Sequence, residues 1–338
     1  MKRLLIGIVA VAALGGIAWG VGAMISQTAA TRWLEDRQAD GWVAEASDIA
    51  VGGFPLQFVT ELRDLELADP ETGLAWSVAS LEFRQDVLRL DRIEARWPAV
   101  QTIASPFERL TVSDLDVEGL HLLAALDVQP TNRFALDYAQ ADTGPLLVTS
   151  SEGWQTQWEQ GSLILQRVEN TETTYDIFAL ATQMAPPEAW RTRLDPAGVL
   201  PAIMDRAEVR ATATFDAPWD MDAIEVARPQ FTDLQIDELS LRWGDMLFRA
   251  TGDLNVTAGG VPEGELSVRA ENWRAMVDLA SNAGMVPERL RGTAEAMLEV
   301  LAGLSGSAEN IDATLSFSNG RVFLGPLPIG PAPSLRLR

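Results

Sequence analysis

The chain has no cysteine, one histidine and one lysine among its 338 residues. Each shortage excludes chemistry. Without Cys there is no disulfide, no thiolate metal site and no Cys nucleophile. A lone His121 cannot build a multi-histidine metal centre. It would also have to serve any Ser-His-Asp triad, yet it lies between Leu120 and Leu122, and no G-x-S-x-G elbow exists to present the serine. His121 therefore reads as structural. Lys2 is the only Lys, so neither Gly52-Gly53 nor Gly259-Gly260 continues into a lysine-bearing phosphate loop. Positive charge is scarce as a whole: 26 basic residues stand against 48 acidic ones, a net charge of -22. A field of that sign repels phosphate backbones, so nucleic acid is excluded as a partner.

Long apolar runs are also scarce, with one exception. Met1-Lys2-Arg3 precedes LLIGIVAVAALGGIAWGVGAMI, an uncharged run from Leu4 to Ile25. About 20 such residues span a bilayer as a helix. Basic residues before the run and an acidic chain after it predict the N-terminus inside and the bulk outside. A cleaved signal peptide is the competing reading, but its apolar region is shorter, about 7 to 15 residues. The run thus predicts a cytoplasmic stub at 1–3, an inner-membrane anchor at 4–25, and a juxtamembrane helix at 26–42. Trp33 and Trp42 fall where interfacial aromatics sit, or pack ordinarily.

The rest alternates at period two. Leu62, Leu65 and Leu67, Trp76 and Val78, Phe134, Leu136 and Tyr138, and Leu146 and Val148 mark short strands with turn signals between them, such as Asp69-Pro70-Glu71-Thr72-Gly73. Two more strands are expected to join near Gly161-Ser162. That spacing argues for a mainly β fold: antiparallel, bent or curved sheet, as a groove or a sandwich, with a few covering helices. An N-terminal β-rich region is expected at 43–185 and a helical connection at 186–207, with helices over Glu188–Arg193 and Val199–Arg206. A C-terminal β-rich region follows at 208–338, with helices at about 273–304. Leu290, Ala294, Met297, Leu298 and Leu301 share one helix face there, with Pro287 at its start and Gly303 or Gly306 at its stop. Asn319-Gly320 is a two-residue hairpin turn, and the Pro- and Gly-rich tail lies extended on the body.

One stretch organises the chain, Phe231 to Val256. Leu234 and Ile236 alternate with polar neighbours; Asp237-Glu238 breaks the rhythm; Leu239, Leu241 and Trp243 alternate on the opposite parity; Leu254 and Val256 follow a turn at Gly244-Asp245. A parity change sends later side chains to the wrong face unless an extra residue is absorbed as a bulge. The unit recurs at Leu110-Thr111-Val112-Ser113-Asp114-Leu115-Asp116-Val117 and, more loosely, from Leu88 to Ala95. Leu234, Ile236, Leu239, Leu241, Trp243, Leu254, Val256, Leu115 and Val117 are the candidate lining of an apolar groove. Alternation does not distinguish an open groove from a closed sandwich, and the 11 Trp fit either as packing or as lining.

Polar clusters carry less. Asp114-x-Asp116-x-Glu118-Gly119 opens like a calcium loop, but Ala125 stands at the twelfth position, where a bidentate acid is needed. No pair among the 48 acids is marked for glycan hydrolysis. No catalytic, cofactor or metal residue is assigned.

The basic-plus-apolar start, Gly53-Phe54-Pro55, Leu67-Ala68-Asp69-Pro70 with Gly73 and Trp76, and the closing Asn319-Gly320-Arg321-Val322 with Leu324-Gly325-Pro326-Leu327-Pro328-Ile329-Gly330 resemble an uncharacterised family of Gram-negative envelope proteins. More distantly, Leu234 to Ala270 resembles the strand pattern of AsmA-like proteins, which are anchored in the inner membrane and implicated in lipid movement. The resemblance implies a periplasmic setting and a lipid ligand, and no site residues. Three readings result: a non-enzymatic, lipid-binding envelope protein; a closed sandwich docking on another envelope protein; and a carboxylate-only glycan hydrolase.

Overall fold

Alternation becomes strand nearly throughout the computed structural model, which describes residues 2–116, 123–284, 288–304, 306–325 and 327–337, without the side chains of residues 2–14, 224, 225, 288–290, 294, 304 and 327. In chain order the elements begin with α1 (Lys2–Ala39), β1 (Val43–Glu45), β2 (Asp48–Gly52), β3 (Gln57–Asp69), β4 (Leu74–Asp86), β5 (Arg89–Arg96), β6 (Val100–Ala104), β7 (Arg109–Asp114) and β8 (Leu123–Gln129). They continue with β9 (Ala135–Thr143), β10 (Leu146–Ser150), β11 (Gln155–Trp158), β12 (Gln160–Arg167), β13 (Thr174–Met184), α2 (Glu188–Leu194), β14 (Met204–Phe215) and α3 (Met221–Glu225). Next come β15 (Phe231–Trp243), β16 (Met246–Val256), β17 (Pro262–Glu271), α4 (Trp273–Asn282), α5 (Glu288–Leu304), β18 (Asn310–Ser318), β19 (Arg321–Leu324) and β20 (Leu327–Pro331). The chain divides into two compact units. The first holds residues 1–128 and 141–153, the second 129–140 and 154–338.

In the first unit the β3–β4 hairpin is the spine. One edge of β3 pairs with β2 and then β1. The outer edge of β4 pairs with β5 near Glu82–Arg84 and with β6 at Ala75–Val78. The turn at Asp69–Gly73 forms as expected: the Asp69 carboxylate accepts the Glu71 N–H (2.9 Å) and the Thr72 hydroxyl (2.8 Å). These two donors hold the Asp69 carboxyl below its ordinary pKa. Leu62 and Leu65 are three residues apart, as are Leu81 and Val78 opposite them, yet all four are buried in one core with Leu34 of α1 and Ala44. Asp64 sits at this step with a φ of 46°. α1 lies on the sheet through small and apolar residues, so the apolar run and the expected juxtamembrane helix form one helix ending at Ala39. Among the described residues no helix is long and apolar enough to cross a membrane. Half of the Leu4–Ile25 run falls in residues 2–14, whose side chains lie outside the description.

The second unit is built on an antiparallel meander in which β12 to β20 each pair with the next. Among the described residues β20 pairs only with β19, so the sheet is open. At the β18–β19 turn Asn319 and Gly320 both have positive φ (51° and 72°), as the hairpin signal requires. β20 adds a strand from the tail, and the Leu335 N–H then donates to the Gly260 carbonyl (2.8 Å). α4 and α5 match the expected helices; Pro287 lies outside the described residues. Leu298 and Leu301 pack against Trp273, Val277 and Ile311.

Four expectations need correction. Val199–Arg206 is not helical: β14 starts at Met204, because Arg206 to Thr214 have a full partner strand in β13. The β11–β12 join is at Glu159, and Gly161-Ser162 pair with Ala181 and Leu180 inside the ladder. The second repeat does not continue as a bent strand, since β7 stops at Asp114 and Leu115 is exposed, while Val117, Glu118 and His121 lie outside the described residues. In the loose repeat, Leu88 belongs to a turn and Leu90 is exposed, with β5 irregular between Arg89 and Glu94.

Candidate functional site

The bulge at Asp237-Glu238 exists and keeps an extended apolar face of the second unit continuous across β15. On one side Arg210 faces Glu238 while Ala211 faces Ile236; on the other, Ile236 faces Gly252 while Leu239 faces Ala250. Against both neighbours β15 thus carries one residue too many, and Leu234, Ile236, Leu239, Leu241 and Trp243 share a face despite their change of parity. Four cross-strand rows run over β14 to β18. They read Ala213–Leu234–Leu254–Gly264–Phe317, then Ala211–Ile236–Gly252–Leu266–Leu315. The next two read Val209–Leu239–Ala250–Val268–Ala313 and Ala207–Leu241–Phe248–Ala270–Ile311. No polar side chain interrupts any of the four.

This inner face is covered at its two ends. At one end α4 and α5 close over Ala270, Ile311 and Ala313, and α4 reaches Trp243, Met204 and Met246. Trp243 is tied down there, its indole N–H donating to the Pro201 carbonyl (2.8 Å). At the other end Trp219, Phe231 and Leu337 of the tail pack on Tyr175, Ala213 and Phe215. Tyr175 is fully buried; its hydroxyl donates to the Leu136 carbonyl (3.2 Å), and burial pushes its pKa above the ordinary value. Between the ends, Ala250, Leu254, Leu266 and Val268 are buried with Leu234, Ile236, Leu239, Phe248, Leu315 and Phe317, all of them from β15 to β18. Among the described residues no helix contributes an apolar side chain to that central cluster. Gly252 and Gly264 oppose each other's neighbours so closely that a Cβ on either would stand 2.3 Å from a carbonyl oxygen, of Glu265 and Asp253 respectively.

Of the nine candidate lining residues, Leu234, Ile236, Leu239 and Leu254 meet in the central cluster. Val256 is buried beyond Leu254 on the same face, Trp243 lies under α4, and Leu241 stays 37% exposed on the inner face. Leu115 belongs to the other unit and Val117 is not described. The lining set named from the sequence left out the small members of the rows, such as Ala207, Ala211 and Ala213 on β14, although Val209, Ala211, Ala213 and Phe215 alternate as a strand does. Their signal was present as alternation of Ala with polar residues, which resembles an ordinary solvated strand.

The opposite face of β14–β18 is polar apart from the buried Leu247. Glu208 is buried there between Arg206, whose Nε donates to its Oε2 (2.7 Å), and Arg210, whose Nη2 stands 2.5 Å from its Oε1 as an ion pair off the hydrogen-bond direction. A shallow depression of about 460 Å³ is lined mainly from this side, by Arg249, Thr251, Ser267, Arg269, Asp312 and Thr314. Its arginines are engaged: Arg269 pairs with Glu271 (3.2 Å) and Asp312 (3.5 Å), and Arg249 with Glu238 (3.9 Å). Asp114 closes β7 by accepting the Asp116 N–H (2.9 Å), an ordinary turn contact.

Residues 19–333 match a family model described as "Uncharacterized protein conserved in bacteria (DUF2125)". No curated protein matches, and no solved structure matches. The AsmA-like resemblance therefore stands on the strand pattern alone.

Proposed function

The chain belongs to this family of uncharacterised conserved bacterial proteins, and since no activity comes with the match, we propose a function from the inner face itself: a non-enzymatic envelope protein that holds lipid acyl chains against the apolar side of the β14–β18 sheet. The carrying observation is the set of four uninterrupted apolar rows whose central cluster, among the described residues, takes no side chain from a helix. A concave lining that is predominantly apolar is what small-molecule and lipid sites share. The setting rests on the sequence: Lys2 and Arg3 before the Leu4–Ile25 run give a single-pass inner-membrane anchor with the bulk in the periplasm.

Native mass spectrometry of the full chain, extracted from membranes in a mild detergent, tests this. The wild type carries a phospholipid-sized adduct, and Leu241→Asp loses it. Leu241 is the partly exposed member of the face, so the variant keeps its fold, verified by unchanged thermal unfolding. A bare wild type, or a folded Leu241→Asp variant that keeps its lipid, overturns the trough and leaves the docking module as the reading.

A further inference from the structure

The first unit carries a second apolar surface, at one tip of its sheet. Phe54 and Leu56 in the β2–β3 loop are 60% and 65% exposed, and Leu88 in the β4–β5 turn is 87% exposed. The two loops are joined, the Val87 N–H donating to the Leu56 carbonyl (2.9 Å). Both belong to the end of the sheet against which α1 is docked. Trp19 meets Phe54 edge-to-face (5.4 Å between ring centroids), stacks on Phe58 (5.9 Å), and donates its indole N–H to the Gln57 carbonyl (2.9 Å). A Cβ on Gly22 would collide with the Phe58 ring, and one on Gly16 would touch Phe54. These contacts fix the tip at the level of helix residues 16–22. On the side of the helix turned away from the sheet, Ile17, Val21, Met24 and Ile25 are exposed.

Helix length decides what this arrangement means. Residues 4–15 give about 18 Å at 1.5 Å per residue, against a hydrocarbon thickness of about 30 Å. The whole Leu4–Ile25 run gives about 33 Å, which suffices. A spanning helix must therefore immerse Gly16 to Ile25 as well, and the side chains packed on that segment go with it. We propose that the tip formed by Phe54, Leu56 and Leu88 enters the lipid bilayer beside α1, as a second and non-helical membrane contact. This rests on the anchor reading above and not on the trough. The polar rim falls directly behind it: Gln57 pairs across the ladder with Asp86, and Arg89 is held by Asp91 (3.3 Å). The opposite end of the same hairpin, at Glu71, points away from the membrane.

Because the chain has no cysteine, a single introduced one carries a nitroxide label without background. Full-length L88C, L56C, I17C and E71C chains, each labelled and reconstituted in phosphatidylethanolamine–phosphatidylglycerol vesicles, are compared by their collision rates with oxygen and with a water-soluble nickel chelate. Oxygen dominates at positions 88, 56 and 17, and nickel dominates at 71. Nickel dominance at 88 and 56 with oxygen dominance at 17 overturns the tip alone. Nickel dominance at 17 as well overturns the anchor and the tip together. Leu88 and Leu56 make so little protein contact that their labels leave the fold intact.

Discussion

Deleting Asp237 tests whether it is the extra residue of β15. Asp237 is exposed and its carboxylate accepts a 3.2 Å contact from the Gln235 amide, so the loss of its side chain costs no more than about 0.5 kcal/mol, as surface changes do. In a regular strand the loss of one residue turns every later side chain to the other face. Here that would strip Trp243, which is 3% exposed, of a full side-chain burial, and Leu239 and Leu241 of roughly half each. At about 1.5–3 kcal/mol per fully buried large side chain the cost would be about 3–6 kcal/mol, a large part of the about 5–15 kcal/mol that holds a domain folded. At a bulge the outcome is the opposite. With Asp237 gone, Ile236, Leu239, Leu241 and Trp243 alternate regularly, and Leu239 opposes Ala250 two residues on from the Ile236–Gly252 pair. Hydrogen exchange of the β15–β16 amides reads this ladder apart from the rest of the chain. Protection in the deletion variant should stay within about tenfold of the wild type, one power of ten being about 1.4 kcal/mol, and the β3–β4 amides keep theirs. A fall of about two to four powers of ten, the mark of a flipped face, refutes the claim that the bulge absorbs the parity change.

Gly252 has a φ of 145°, and a Cβ there meets the Glu265 carbonyl at 2.3 Å. Gly252→Ala should destabilise the second unit by about 1–3 kcal/mol, the usual cost of a residue forced into a sparsely populated backbone region, and a thermal shift against Gly259→Ala, which meets only Thr257 at 3.8 Å, checks it. The Asp69 turn gives a pH dependence. Its carboxyl is held below its ordinary pKa by the Thr72 hydroxyl and the Glu71 N–H. Its contribution is therefore complete above the unfolded value of about 3.9 and lost as pH falls through the folded one. A carboxyl carbon-13 titration of Asp69 with its midpoint at or above about 3.9 would contradict the turn geometry.

Much of this fold is legible because its chemistry is local. The Asn319-Gly320 hairpin, the Asp69–Gly73 turn, the α5 face and the Asp237 bulge each follow from a short run of residues whose φ or period has one comfortable solution. What escaped was set by partners distant in the chain. Met204 to Arg206 look helical alone but are recruited into β14 by Met184, Thr182 and the rest of β13. Leu115 carries a repeat motif, yet β7 ends before it, and similar letters bend one strand and terminate another. The same limit held at the candidate face. The large residues of β15 announced it, but their neighbours on β14, β17 and β18 are known only from register. The core step at Leu62-Arg63-Asp64-Leu65 also went unread, because the unit shows there as a parity change shared with Val78 and Leu81 and not as an extra residue.

The helix that carries the apolar run is more than a tether. From Gly16 onward its sheet-side residues recur at helical spacing through Trp19, Gly22, Ser26, Ala30 and Leu34, and Leu34 sits in the core of the first unit. Side chains fix its rotation along the way: the Gln27 amide donates to the Ile49 carbonyl (2.8 Å) and the Gln38 amide to the Ala44 carbonyl (2.7 Å). Only Asp40 to Trp42 separate it from β1. A flexible leash would leave a domain free to tumble over the membrane. A helix docked over some 20 residues does not, so on the anchored reading the direction in which α1 meets the bilayer also sets the direction of the β3–β4 hairpin. Small residues at the contact serve this end, since Gly16 and Gly22 let the rings of Phe54 and Phe58 lie against the helix backbone. On the anchored reading, the glycines within the apolar run are thus where the membrane segment and the sheet are made into one rigid piece.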